Sequence, residues 1–170
     1  MKGTIKKYLA SIVYGGSDGA VSYFTLMAGA YGAGLSIKML IAIGVSNVVA
    51  DAFSMATADY LSEDSRKNMT EKEEVTSAVV TFIAFALIGC FPLAPSVYAY
   101  YTLPPDSTLP LSMFILSTIL TLIGFTYIGY LRGKILGRNI YRTVIQSIII
   151  CSISAVIAYY LGEYIAALIS

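Results

Sequence analysis

The sequence predicts an all-α integral membrane protein with five transmembrane helices per subunit, and three observations carry that expectation. Apolar residues make up 57% of the 170 and charged residues 12%, with a mean hydropathy of +0.75, whereas roughly a quarter of an average soluble domain is charged. Uncharged stretches long enough to cross a hydrocarbon core about 30 Å thick recur along the chain. The basic residues, finally, fall almost entirely on alternate connections.

Taken in order, the first span covers about 8–33 and is interrupted only by Asp18. It is longer than the apolar region of a cleavable signal peptide and lacks a small-residue cleavage site, so it is expected to stay in the mature protein. Gly32-Ala33-Gly34-Leu35-Ser36 makes a tight turn into the second span, about 38–62, which Asp51 and Asp59 interrupt. A short charged cytoplasmic loop, 63–74, precedes the third span, about 75–101. Pro92, Pro95, Pro104, Pro105 and Pro110 mark its end and the outer loop, where a helix bends or stops. The fourth and fifth spans, about 109–131 and 143–168, complete a single transmembrane domain over 1–170.

Orientation follows from the positive charges. Lys2, Lys6 and Lys7 precede the first span, Arg66, Lys67 and Lys72 follow the second, and Arg132, Lys134, Arg138 and Arg142 separate the fourth from the fifth. Lys38 alone lies on the other side, which places the N terminus in the cytoplasm and the C terminus outside.

Several function classes drop out. A net charge of +1 gives no basic surface for nucleic acid. The chain has no His, which disfavours zinc hydrolases and Ser-His-Asp chemistry. Cys90 and Cys151 each sit in an apolar run without CxxC spacing, so neither a disulfide framework nor a thiolate metal site is expected. No catalytic residue and no resident cofactor is assigned, and the chain is read as a non-enzyme.

The acids inside the spans are the informative residues, because an Asp at the bilayer centre costs about 2.5–3.5 kcal/mol on insertion scales and so faces an interior or a wet cavity. At about 1.5 Å per residue, Asp18 lies about 16 Å along from Lys7, near the midplane of the core. The second span runs back the other way and brings Asp51 to the same depth. Asn47, Asp51, Met55, Asp59 and Glu63 recur every fourth residue and share one helix face. Asp and Asn oxygens with a softer Met sulfur suit Fe(II) or Mn(II) better than Mg or Ca, and the absence of His and thiolate favours the weak binding a conduit needs. Plainer readings stand beside this one. Asp18 would be a neutral acid bonded to a carbonyl where the helix loosens at its glycines. Asn47 and Asp51 would be interhelical hydrogen-bonding partners, Met55 a packing residue, and Asp59 with Glu63 a solvated helix end.

An odd number of spans leaves little room for a pathway within one subunit, so a homo-oligomer is expected. Ala42, Ser46, Ala50, Ser54, Ala58 and Ser62 form a small-residue stripe on the second span, and Gly15 with Gly19, then Gly129, Gly133 and Gly137, add further close-packing pairs.

These segments carry a resemblance. Gly16-Ser17-Asp18-Gly19, Met27-Ala28-Gly29, Gly32-Ala33-Gly34, Asn47-Val48-Val49-Ala50-Asp51-Ala52-Phe53-Ser54-Met55 and Asp59-Tyr60-Leu61-Ser62 resemble the vacuolar iron transporter family. Gly89-Cys90-Phe91-Pro92-Leu93-Ala94-Pro95 and the basic stretch from Leu131 to Arg142 look like its third-span proline motif and its basic loop. The resemblance implies a five-helix subunit and a homodimer whose ion pathway lies on the two-fold axis, lined by the first two helices of each protomer. It also implies proton-coupled export of Fe(II) from the cytoplasm, with Asp18 as the pathway aspartate and Met55 as the pathway methionine. The chain departs from the family pattern at Ser11 and Asn47, where acids occur in members, and at Asp59, where the motif has Glu. The long Glu-rich cytoplasmic domain common between the second and third spans is reduced here to Glu63–Glu74.

The resulting expectation is a divalent transition-metal transporter moving Fe(II) or Mn(II) as substrate out of the cytoplasm by proton antiport. Its partners are the lipid bilayer, a second copy of itself, divalent metal ions and protons. Asp18, Asn47, Asp51 and Met55 line the pathway, Asp18 and Met55 hold metal, and Asp59 with Glu63 form the cytoplasmic entrance. The short loops suggest a prokaryotic cell membrane. The alternatives are a non-transporting scaffold or metal sensor and, more remotely, an intramembrane aspartyl hydrolase, whose GxGD and PAL signatures are missing.

Overall fold

The computed structural model of this chain describes residues 7–66 and 69–169, so Lys2, Lys6 and Lys67 of the charge count lie outside the described residues. The described chain is helical: α1 (Leu9–Gly32), α2 (Ile37–Arg66), α3 (Glu71–Gly89), a 3₁₀ turn at Phe91–Leu93, α4 (Ala94–Thr102), α5 (Leu111–Leu136) and α6 (Ile140–Ile169). Four stretches are long and apolar enough to cross a membrane: Ile37–Ser65, Glu71–Thr102, Leu111–Lys134 and Ile140–Ile169. An integral membrane protein is what such a set of helices requires, because only helices and closed barrels satisfy their backbone inside lipid.

The helix α1 is not among those four, and its position gives the reason. It packs against α2, α3, α5 and α6, so its sides meet protein and tolerate Gly15, Gly16, Ser17, Asp18 and Gly19 in one run. A Cβ at Gly15 would stand 2.5 Å from the Thr81 carbonyl oxygen, and one at Gly19 2.5 Å from that of Phe85. These two glycines are the seam where α1 and α3 touch backbone to backbone. Gly129 and Gly133 do the same for α5 against α6, where added Cβ atoms would meet Val144 and Thr143.

Two buried clusters flank α1. Tyr23, Met27, Ile37, Leu40, Val48, Leu93 and Leu109 form one, toward α2 and the outer loop; Ala20, Phe24, Ala28, Phe125, Ile128, Cys151 and Ala155 form the other, toward α5 and α6. The outer turns are tied together, with Ile37 N–H donating to the Ser107 carbonyl at 2.9 Å and Lys38 N–H to that of Pro105 at 3.0 Å. Pro92 and Pro95 explain the interruption between α3 and α4: neither has an N–H to continue the ladder, and the chain passes through a 3₁₀ turn before resuming.

At the end of the bundle where α1 begins, only residues 67–70 separate α2 from α3. Thr70 starts α3, its backbone N–H donating to Glu73 Oε2 at 3.1 Å, and Glu73 also pairs with Lys7 at the start of α1. The three helices that carry the acids are therefore held in register at that end.

Candidate functional site

The site begins on α2. Along its inward side, Gly44, Val48 and Ala52 are buried, while Asn47, Asp51, Met55, Asp59 and Glu63 are half-buried. A four-residue step advances about 40° beyond a full turn, so this stripe drifts across the side of α2 that meets α1 and α3. Asn47 Nδ2 donates to Asp51 Oδ2 at 2.6 Å, one turn down the helix. Asp18, half-buried on α1, stands close enough to Asp51 for the two carboxyl charges to interact. Asn47 and Asp51 thus meet on one face of α2, with Asp18 of α1 within electrostatic reach of Asp51. Met55 lies one turn further along α2 on the same stripe and is also half-buried.

A second group forms two turns below Asp51. Asp59 Oδ2 accepts from Ser77 Oγ at 2.7 Å and from Thr81 Oγ1 at 3.1 Å, both on α3, and Ser77 Oγ lies 2.7 Å from Ser11 Oγ on α1. Beside Asp59 opens a cavity of about 410 Å³ lined by Ala10, Ser11, Tyr14, Ala58, Asp59, Ser62 and Glu63. Glu74, at the start of α3, is buried, and Glu63, Asp64 and Glu71 are near enough to act on its charge. Carboxylates thus gather at this end of the bundle, beside Lys7, which pairs with Glu73.

Ser77 and Thr81 were absent from the sequence expectation. Their signal was present: two hydroxyls four residues apart share one face of a helix, in the middle of α3. Without knowing that this face meets Asp59, they read as ordinary small residues of a bundle.

Among the described residues, no three His, Cys, Asp or Glu side chains of the single chain converge on one point as a metal would need. Asp18 with Asp51 supplies two carboxyls, and Asp59 with Glu63 two more.

The model of the VIT family matches residues 9–75 and 66–163, nearly the whole of the described chain. The chain belongs to the VIT family. Both acidic groups fall inside the matched residues. Among relatives, the chain is 38% identical over 71 residues to a vacuolar iron transporter of Toxoplasma gondii, covering 42% of this chain and 24% of that protein. It is 30% identical over 69 residues to a vacuolar iron transporter of Plasmodium falciparum, covering 41% and 25%. Against vacuolar iron transporter homolog 1 of Arabidopsis thaliana it is 26% identical over 144 residues, covering 75% and 70%. The chain thus spans about a quarter of the length of the first two VIT relatives and most of the third. All three are eukaryotic proteins, and they lend no support to the expected prokaryotic cell membrane.

Proposed function

We propose that this VIT chain is one subunit of a homodimeric transporter that carries Fe(II) or Mn(II) out of the cytoplasm in exchange for protons. In this reading α1 crosses the membrane as a fifth span, the N terminus is cytoplasmic and the C terminus lies outside. The observation that carries the proposal is the nearness of Asp18 on α1 to Asp51 on α2, in a family whose relatives are named iron transporters.

The outer face of α2 supports the dimer. Ala42, Ser46, Ala50, Ser54 and Ala58 are exposed there, whereas the exposed face of α6 is built from large side chains such as Ile145, Ile149, Ile153 and Ile157. Bulky side chains fill lipid contacts, while small ones let two backbones approach. Ser46, Ala50, Ser54 and Ala58 each precede a stripe residue by one position, about 100° around the helix. A second copy seated on the small face would bring two Asp18–Asp51 pairs and two Met55 sulfurs toward one axis. Four carboxyls and two thioethers shared between protomers supply what one chain lacks.

The chemistry then runs through these side chains. A cation gathers at the acidic mouth, enters at Asp59 and Glu63, and passes Met55 to the Asp18–Asp51 level, where Asn47 holds the orientation of Asp51. Protons and metal compete for the same carboxylate lone pairs, so an ion leaving outward frees the acids to take protons for the return. The test is Fe(II) and Mn(II) uptake into sealed proteoliposomes at two pH values, read beside lumenal pH. Expected is metal uptake with opposing proton movement, abolished in Asp18→Asn while the dimer persists. Full uptake by Asp18→Asn would remove that residue from the mechanism, and no flux from the native chain under a pH gradient would favour the scaffold reading.

A further inference from the structure

We propose that Ser77 is a positioning residue of the cytoplasmic entrance: with Ser11 behind it, it fixes the Asp59 carboxylate so that one oxygen is kept for an incoming divalent cation. This rests on the transport reading above and adds a role for α3, which that reading leaves as scaffold.

The way the hydroxyls are used carries the inference. A serine or threonine inside a helix commonly bonds the carbonyl one turn back. Thr57, Thr76, Thr118, Thr121, Thr126 and Ser147 of this chain do so. Ser77 and Thr81 reach across to α2 instead, and both donate to the same oxygen, Oδ2 of Asp59. Ser77 has a single proton and gives it to Asp59, so at the 2.7 Å contact with Ser11 it accepts, and Ser11 is the donor. Ser11, Ser77 and Thr81 are all buried, at 8%, 1% and 0% exposure, where hydroxyl bonds are directional and no water competes. Neither donation goes to Oδ1 of Asp59, and Asp59 lines the cavity described above together with Ser62 and Glu63. Had the donors been divided between both oxygens, the carboxylate would serve only to bind the helices together. Converged on one, they orient the other.

The test uses the full chain in lipid and Mn(II) as the probe. Ser77→Ala should raise the apparent KM for Mn(II) uptake by about 5–10-fold, the scale of one charge-assisted hydrogen bond, with maximal rate held within about twofold. Thr81→Val should raise it by about 2–3-fold, the longer contact being the weaker. Ser77→Thr, which keeps the hydroxyl, should restore the native KM. An unchanged KM in Ser77→Ala would overturn the proposal, as would a loss of maximal rate and thermal stability that Ser77→Thr does not repair. Mn(II) binding in an Asp18→Asn background, followed by the electron paramagnetic resonance of the free ion, separates this inference from transport itself. If the native chain moves no metal, yet Ser77→Ala weakens the binding that Asp59→Asn abolishes, transport falls and the positioning role stands. Equal binding with and without the Ser77 hydroxyl overturns the role whatever the flux.

Discussion

Asn47 donates its side-chain amide to Asp51 at 2.6 Å, one turn away on the same helix and within electrostatic reach of Asp18. The amide occupies Oδ2, so Asp51 presents a defined oxygen rather than a freely rotating carboxylate. An acid in place of Asn47 would repel Asp51 where the amide orients it.

Asn47→Ala is therefore expected to leave assembly intact and to lower Mn(II) uptake by about tenfold, the scale of one hydrogen bond to a charged group. Asn47→Asp, placing two carboxyls one turn apart, should change the pH at which uptake is half-maximal, because one of the two must hold a proton more firmly when they adjoin. Initial rates in proteoliposomes across a pH series measure both. Rates equal to the native chain in Asn47→Ala would assign Asn47 to packing alone.

The α1–α3 seam makes a stability prediction. A methyl at Gly15 or Gly19 would meet the Thr81 or Phe85 backbone carbonyl at 2.5 Å, and backbone cannot rotate aside as a side chain can. Gly15→Ala and Gly19→Ala should each cost about 1–3 kcal/mol, the usual penalty for overpacking a fitted interior. Gly124→Ala is the control, since no atom lies within 4 Å of a Cβ there. Thermal unfolding in detergent should order the three variants accordingly.

The helical class was legible because the apolar runs and the small residues report directly on solvent and close approach, as Gly15, Gly19, Gly129 and Gly133 do at their crossings. That α1 and α2 run antiparallel was legible too, since a tight Gly-rich turn joins them. The partners of Asp59 were not. Hydrophobic periodicity tells a soluble helix which way it faces, but α3 is apolar all round and its sequence gives no reason to turn Ser77 and Thr81 toward α2. The low apolarity of α1 likewise follows from its central place, a tertiary fact that hydropathy registers only as a weaker signal.

The small-residue face of α2 yields a cross-linking prediction. With Cys90 and Cys151 replaced by Ala to remove the free thiols, Ala50→Cys should form an intermolecular disulfide on mild oxidation, since two exposed positions facing one axis can come within the about 4.4–6.8 Å Cα separation a disulfide requires. Ile153→Cys, on the exposed face of α6, should stay monomeric under the same treatment. Reversal of that pattern on a non-reducing gel would move the interface to α6.

Met55 tests metal choice. Leu has nearly the volume of Met, so Met55→Leu should keep the packing of α2 at a cost below about 1.5 kcal/mol while removing the only sulfur on the stripe. A thioether interacts with Fe(II) more favourably than with Mg(II), a purely oxygen-seeking ion. Competition separates the two contributions: unlabelled Mg(II) should inhibit Fe(II) uptake weakly in the native chain and about tenfold more effectively in Met55→Leu, if the sulfur supplies about 1.4 kcal/mol of preference. Equal inhibition in both would return the discrimination to the carboxylates and leave Met55 a packing residue.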